Sequence, residues 1–190
     1  MERVRLLATG GTIASAIDPL GEVRLQSGRD LLRLVPQARG IASVESEDFC
    51  NLPSCRIGPE LQLKLSKRIN EIEAFEKDLS GIVVTHGTDT LEETAFLLEL
   101  TVQGDKPVAL TAALRPLTSP DSDGPRNLLD AIRVASSPKA NEMGVVVVMN
   151  GEIHGAKHVK KTHTTALDSF KSGRYGKVGC VDGEKVTVYR

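Results

Sequence analysis

The sequence predicts an α/β domain: a mostly parallel sheet with helices on both faces and a hairpin at the C-terminal end. Three observations predict it. Short apolar runs, several rich in β-branched residues, recur along the 190 residues. Segments with helical spacing separate them, and Asp182-Gly183 sits between two further apolar stretches as a hairpin signal. Strands separated by helices build βαβ units, whose strands pair in parallel.

The elements follow in order. Arg3 to Thr9 reads as a buried strand that runs into Thr9-Gly10-Gly11-Thr12. Asp30 to Leu34 starts a short helix that stops at Pro36. Ile41 to Cys50 sets Ile41, Ser43 and Glu45 against Ala42 and Val44, the alternation of a strand. Gly58-Pro59 opens a helix with proline in the first helical position. Its Leu61, Leu65, Ile69 and Ile72 fall on one helical face. Gly81 to His86 is a second short buried strand. Thr90 to Leu100 is a helix with Glu92 and Glu93 in its first turn, where the helix dipole favours acids. Pro107 to Ala113 is a strand, Gly124 to Ala135 a helix and Gly144 to Met149 the most β-branched strand. Pro116 to Pro125 is a polar loop inside the domain, and no fixed-period repeat interrupts the pattern.

Composition narrows the function classes. Hydrophobic residues at 40% and charged residues at 26% describe an ordinary globular chain with room for a core. A net charge of −1 argues against neutralising phosphates along a nucleic acid, and 3% aromatics argue against stacking platforms for single strands. No apolar stretch has membrane-spanning length, and Leu6-Leu7-Ala8 is too short for a signal peptide. Cys50, Cys55 and Cys180 form neither a CxxC pair nor a zinc pattern, and an odd number of thiols without an export signal fits a reducing cytoplasm. Of His86, His154, His158 and His163, the pair His154 and His158 has the i, i+4 spacing of one helix face, but no third ligand lies nearby. Neither a metal nor a nucleic-acid or membrane partner is expected.

Open α/β sheets bind ligands outside the carboxyl ends of their strands. Here one strand ends in Thr9-Gly10-Gly11-Thr12 and another in Thr85-His86-Gly87-Thr88-Asp89-Thr90. Two Gly-Thr endings on one sheet aim two hydroxyls at a common crevice. Phosphate-cradling loops are a poor alternative, because neither G-x-x-x-x-G-K-[ST] nor G-x-G-x-x-G is present there. A threonine hydroxyl needs a base to take its proton. Asp89 is adjacent to Thr88 but would equally cap the helix beginning at Thr90. Lys160 and Lys161, in Val159-Lys160-Lys161-Thr162-His163-Thr164-Thr165, are either a distant base candidate or a solvated surface pair.

These motifs resemble a known family. TGGTIA at Thr9–Ala14 and THGTDTLEETA at Thr85–Ala95 are similar to the two signature sequences of bacterial-type L-asparaginases and glutaminase-asparaginases. The likeness continues through Leu114–Leu128, Val145–Ile153 and Lys161–Ser172, and so spans nearly the whole chain. It implies hydrolysis of L-asparagine to L-aspartate and ammonia through a threonine acyl-enzyme, without metal or cofactor. Thr12 matches the primary nucleophile, and Thr88 and Asp89 match a second threonine and its acid, with Lys161 as their basic partner. Asp89 would also hold the substrate α-amino group and Ser54 the α-carboxylate. Backbone N–H groups near Thr12 and Thr88 would form the oxyanion hole that Gly11 and Gly87 permit, and the Ala113 carbonyl would face the leaving amide.

Three departures accompany the resemblance. The segment from Ser15 to Ser27 lacks the tyrosine the family carries there, Cys55 stands where many members have glutamine, and the family's smaller C-terminal domain does not follow Arg190. The chain therefore reads as a flavodoxin-like N-terminal domain, expected to form a homo-oligomer: a dimer, or a tetramer with the second domain. Glutaminase and the amidase subunit of a tRNA-dependent amidotransferase are the alternative enzymes. An amino-acid-binding module without turnover is the alternative from another class.

Overall fold

The computed structural model describes residues 1–141 and 143–189. Its first half contains β1 (Glu2–Gly10), β2 (Ser15–Ile17), β3 (Val23–Leu25), α1 (Gly28–Arg33), β4 (Ala42–Leu52), α2 (Pro59–Phe75), β5 (Gly81–Thr85) and α3 (Leu91–Thr101). The second half contains β6 (Val108–Thr111), α4 (Gly124–Ala135), β7 (Val145–Met149), β8 (Glu152–Gly155), β9 (Lys160–Lys161), β10 (Phe170–Lys171), β11 (Gly179–Asp182) and β12 (Lys185–Val188).

The main sheet has eight strands in the order β12-β11-β8-β7-β6-β5-β1-β4. From β4 to β7 the neighbours are parallel, while β8, β11 and β12 extend the sheet antiparallel. Numbered among themselves, the parallel strands lie 2-1-3-4-5, the flavodoxin-like order. Strand period two divides the core. Val4, Leu6, Val83, Ala109 and Val146 face α1 and α4 with Leu31, Leu128 and Ile132. Leu7, Ile82, Val84, Val108 and Val147 face α2 and α3 with Leu65, Ile69, Ile72 and Leu98. Side chains on both faces are buried, which is why these strands read as continuous apolar runs.

Three pieces of the architecture are not those the sequence predicts. The segment Ser15–Ser27 contains a hairpin, β2 paired with β3, whose turn is held by Asp18 Oδ1 accepting from Leu20 N (2.9 Å) and Glu22 N (3.0 Å). Residues 152–171 supply β8 and the two-stranded ribbon β9–β10. His154 and His158 do not share a helix: His154 is opposite Val147 on the strand β8, and His158 lies in the turn beyond. His154 is buried with Nδ1 2.8 Å from Ser172 Oγ, whereas the His158 ring stacks on Tyr175 with centroids 4.1 Å apart. Among the described residues, no group of three or more His, Cys, Asp and Glu is placed to hold a metal ion, and no helix is long and apolar enough to cross a membrane.

The start of β5 meets the end of α4 so closely that a Cβ on Gly81 would lie 2.2 Å from the Ala135 carbonyl oxygen. Gly81→Ala must push the helix off the sheet. Overpacking of this kind costs about 1–3 kcal/mol, which in a chain of this size lowers the melting temperature by several degrees. Thermal unfolding of the variant measures it, and an unchanged midpoint would show that the contact yields freely.

Candidate active site

Strand order reverses between β1 and β5, and there the loops after both strands open a crevice. Its volume is about 270 Å³, and it is lined by Gly11 and Thr12 after β1, by Ser54 after β4 and by Gly87, Thr88 and Asp89 after β5. A larger hollow of about 490 Å³ near Arg133, Lys139 and Lys185 contains none of the residues singled out by the sequence. Chemistry rather than size locates the site.

Backbone contact builds the crevice floor. Gly11 has φ +79°, and a Cβ there would lie 2.4 Å from both N and Cα of Gly87. A Cβ on Gly87 would in turn lie 2.6 Å from Ser54 Oγ. The loops after β1 and β5 thus meet backbone to backbone, and the Ser54 side chain packs directly on Gly87, an approach only glycine allows. Ser54, 2% exposed, accepts at Oγ from Asp89 N (3.1 Å), and its carbonyl accepts from Thr90 Oγ1 (2.7 Å).

Asp89 is not a helix cap. The N-cap of α3 is Thr90, which makes no side-chain capping bond, and Asp89 Oδ1 instead lies 3.1 Å from Lys161 Nζ. The same amine donates to Thr88 Oγ1 at 2.8 Å. Lys161 reaches in from the ribbon with its side chain 19% exposed, while Lys160 is 76% exposed with Nζ 3.6 Å from Glu92 Oε1. One hydroxyl, one amine and one carboxylate therefore meet at the crevice mouth, and the Thr12 hydroxyl residue lines the same hollow. That set can take a proton from a hydroxyl and hold it while the oxygen attacks.

Beneath Gly87 lies a buried polar chain absent from the sequence reading. His86 Nδ1 is 2.8 Å from the Gly87 carbonyl, so that nitrogen carries the hydrogen. Gln62 Nε2 donates both to Ile57 O (3.2 Å) and to Thr94 Oγ1 (3.0 Å), which leaves the Thr94 hydroxyl to donate to His86 Nε2 at 3.2 Å. Every bond of the chain then has one direction, assigned from the network. The sequence signal was faint: Gln62 occupies the buried position beside Leu61 on α2. Asp123 was also overlooked. It accepts from Leu114 N and Arg115 N, both at 3.0 Å, and from Asn127 Nδ2 at 3.1 Å, an i, i+4 pair legible in the sequence.

The β2–β3 hairpin roofs the crevice. Leu117 N donates to Ser15 O (2.8 Å), Ser15 Oγ donates to Gly11 O (3.0 Å), and Val23 and Leu25 face the hollow. Tyr175 is far along the chain, stacked on His158. Three predicted site residues are not in the crevice lining: Lys161 reaches only its mouth, and Cys55 and Ala113 lie elsewhere. Cys55 is exposed, and Ala113 is wholly buried behind β6.

Comparison with known proteins gives the family. Residues 3–190 match the family model described as Asparaginase, N-terminal. L-asparaginase 2 of Bacillus subtilis is 46% identical over 189 residues, a stretch covering 95% of this chain and 49% of that protein. The probable periplasmic L-asparaginase of Haemophilus influenzae is 42% identical over 194 residues, covering 100% of this chain and 55% of that protein. A crystal structure of a probable cytoplasmic L-asparaginase from Campylobacter jejuni superposes with a TM-score of 0.90 at 39% identity, over 100% of this chain and 57% of that one. The chain spans about half the length of the curated relatives it matches.

Two histidines make this fold sensitive to acid. Burial holds the pKa of His86 below the ordinary imidazole value, with the Gly87 carbonyl opposing weakly. Burial also lowers that of His154, Lys171 and Lys177 adding to the effect and Glu152 opposing it. The unfolded chain therefore binds protons that the folded one refuses. The contribution of the two histidines to stability is full above the ordinary imidazole range and is lost as the pH falls through it. The double variant His86→Asn/His154→Asn should show a shallower fall in melting temperature between pH 7.5 and 5.5 than the parent protein. Equal slopes would assign the acid lability to other groups.

Proposed function

The chain belongs to the asparaginase family, and we propose that its crevice hydrolyses the side-chain amide of L-asparagine to L-aspartate and ammonia. The observation that carries the reading is the Lys161 amine, 2.8 Å from Thr88 Oγ1 and 3.1 Å from Asp89, beside the crevice that Thr12 also lines. In the first half-reaction a threonine oxygen attacks the amide carbon while its proton passes to a base. The tetrahedral oxyanion is held by backbone N–H groups of the Gly11 and Gly87 loops. Collapse expels the nitrogen, protonated on leaving, as ammonia and leaves an acyl-threonine ester. Water then attacks the ester, giving up a proton, and L-aspartate leaves with the threonine restored. The family pattern assigns Thr12 the attack. The amine supports Thr88, with Asp89 and Lys161, as the group that passes the proton.

Substrate placement follows from the same loops. Asp89, with its carboxylate at the mouth, is assigned the α-amino group. Ser54 Oγ accepts from Asp89 N and keeps its own hydrogen to donate to the α-carboxylate. The Ala113 carbonyl, which the family resemblance assigns to the leaving amide, is buried outside the crevice lining and takes no part in this reading. Val23 and Leu25, rather than a tyrosine, stand over Thr12, so these positions supply no hydroxyl. That apolar roof is also the feature that favours the second reading, capture of aspartate or asparagine without turnover. A homo-oligomer is part of the proposal, supported by the exposed Phe75, Phe96 and Leu100; solution mass tests it. A cytoplasmic site fits the three reduced thiols, with named relatives on both sides of the question.

Ammonia release from asparagine and from glutamine by the full-length protein tests the reading. Lys161→Met should reduce it by roughly 10²–10⁴-fold, the usual loss on removing a positioned proton-transfer group, and Lys160→Met by no more than a few-fold. Binding of aspartate by calorimetry with no ammonia released would instead establish the binding module.

A further inference from the structure

We propose that Glu92 is the positioning residue of the Lys161 amine, a proposal that rests on the asparaginase reading. From its place in the first turn of α3, Glu92 reads as a helix-dipole acid, yet its carboxylate is engaged elsewhere. Glu92 Oε2 accepts the backbone N–H of Lys161, and Oε1 lies 3.6 Å from Lys160 Nζ. Its side chain is 21% exposed, well sheltered for an acid at a helix start.

The ribbon needs such a tie. β9 and β10 pair through only two residues each, Lys161 with Phe170 and Lys160 with Lys171. Between α3 and the approach to the ribbon lies a hollow of about 280 Å³, bounded by Phe96, Ala156, Val159 and Lys160 with Glu92 at its edge. Val159 and Phe170 seat the ribbon in the same apolar cluster as Leu91, Ala95 and Leu98 of α3, but such contacts are non-directional and do not fix the Lys161 peptide itself. The carboxylate does: it ties the Lys161 backbone N–H to the same turn whose preceding residues receive the Lys161 side chain. Misplacement of a reacting group by about 1 Å commonly costs on the order of 100-fold in rate.

Length and charge of the side chain can be separated. Glu92→Gln keeps the reach and an oxygen acceptor for Lys161 N–H but discards the charge. Glu92→Asp keeps the charge and its favourable place at the helix start but withdraws the acceptor by one methylene. Positioning predicts that E92D loses about 10- to 100-fold in kcat for asparagine, with KM little changed and the pH–rate limb of the proton-transfer group displaced. E92Q should stay within about threefold of the parent, as a conservative change of the acceptor allows. A dipole role predicts the reverse ranking, and that ranking, or equal losses in both variants, would overturn the proposal. Competitive acetylation of lysines read by mass spectrometry tests the tie without turnover. Lys161 should label several-fold faster in E92D than in the parent, with the lysines other than Lys160 unchanged, and equal labelling of Lys161 would overturn the proposal. A parent protein that shows this labelling contrast but releases no ammonia refutes the asparaginase reading and leaves the tie standing.

Discussion

Contact between the backbones of Gly11 and Gly87 is the constraint on which the rest of the site depends. Neighbouring parallel strands lie about 4.8 Å apart, and the loops leaving them ordinarily diverge to make room for side chains. Here they converge until a single added carbon would sit 2.4 Å from the opposite chain. Convergence brings Thr12 and Thr88 to one hollow. Gly10, with φ +99° and a would-be Cβ 2.6 Å from Leu52 N and O, extends the contact to the end of β4. The paired glycines are thus packing residues whose packing surface is the peptide bond.

Around this floor the structure arranges polarity in two zones. Below, Gln62, Thr94 and His86 form a buried chain with every bond directed, and it ends on the Gly87 carbonyl. A satisfied buried network of this kind specifies one geometry, because each wrong rotamer strands a polar atom away from water. Above, the charged groups Asp89, Lys161 and Glu92 stay partly exposed, where solvent moderates the cost of holding them together. Rigidity is placed under the hydroxyls, and adjustable charge beside them.

The sheet and its helices were legible because their signals are local. Gly124-Pro125 marks the start of α4 and its apolar period marks the length, so Gly124–Ala135 is both the predicted and the observed helix. The apolar runs at Ile82 and Val145 admit little but a buried strand. Short pairings escaped: β9 and β10 hold two residues each, too few for any period, and β2–β3 hid behind an Asp18-Pro19 turn signal that serves a loop equally well. Within the site, Thr12, Thr88, Ser54 and Asp89 could be placed from strand endings and family motifs. The choice of Lys161 over Lys160 came from the motif alone, since adjacent lysines are equivalent until a strand register sends them to opposite sides. Glu92 illustrates the converse. Its local role at a helix start was sufficient explanation in one dimension, and its partner lies 69 residues away.

Strand order also carries a consequence for synthesis. β1 is made before both of its neighbours, β4, which starts at Ala42, and β5, which ends at Thr85. While the ribosome adds those residues, the apolar Leu6-Leu7-Ala8 has an open edge and no sheet to join. At elongation rates of about 5–20 residues per second this interval lasts several seconds. Until then the early segment stays unpaired, and the amine that completes the crevice emerges only after every parallel strand is available to receive it.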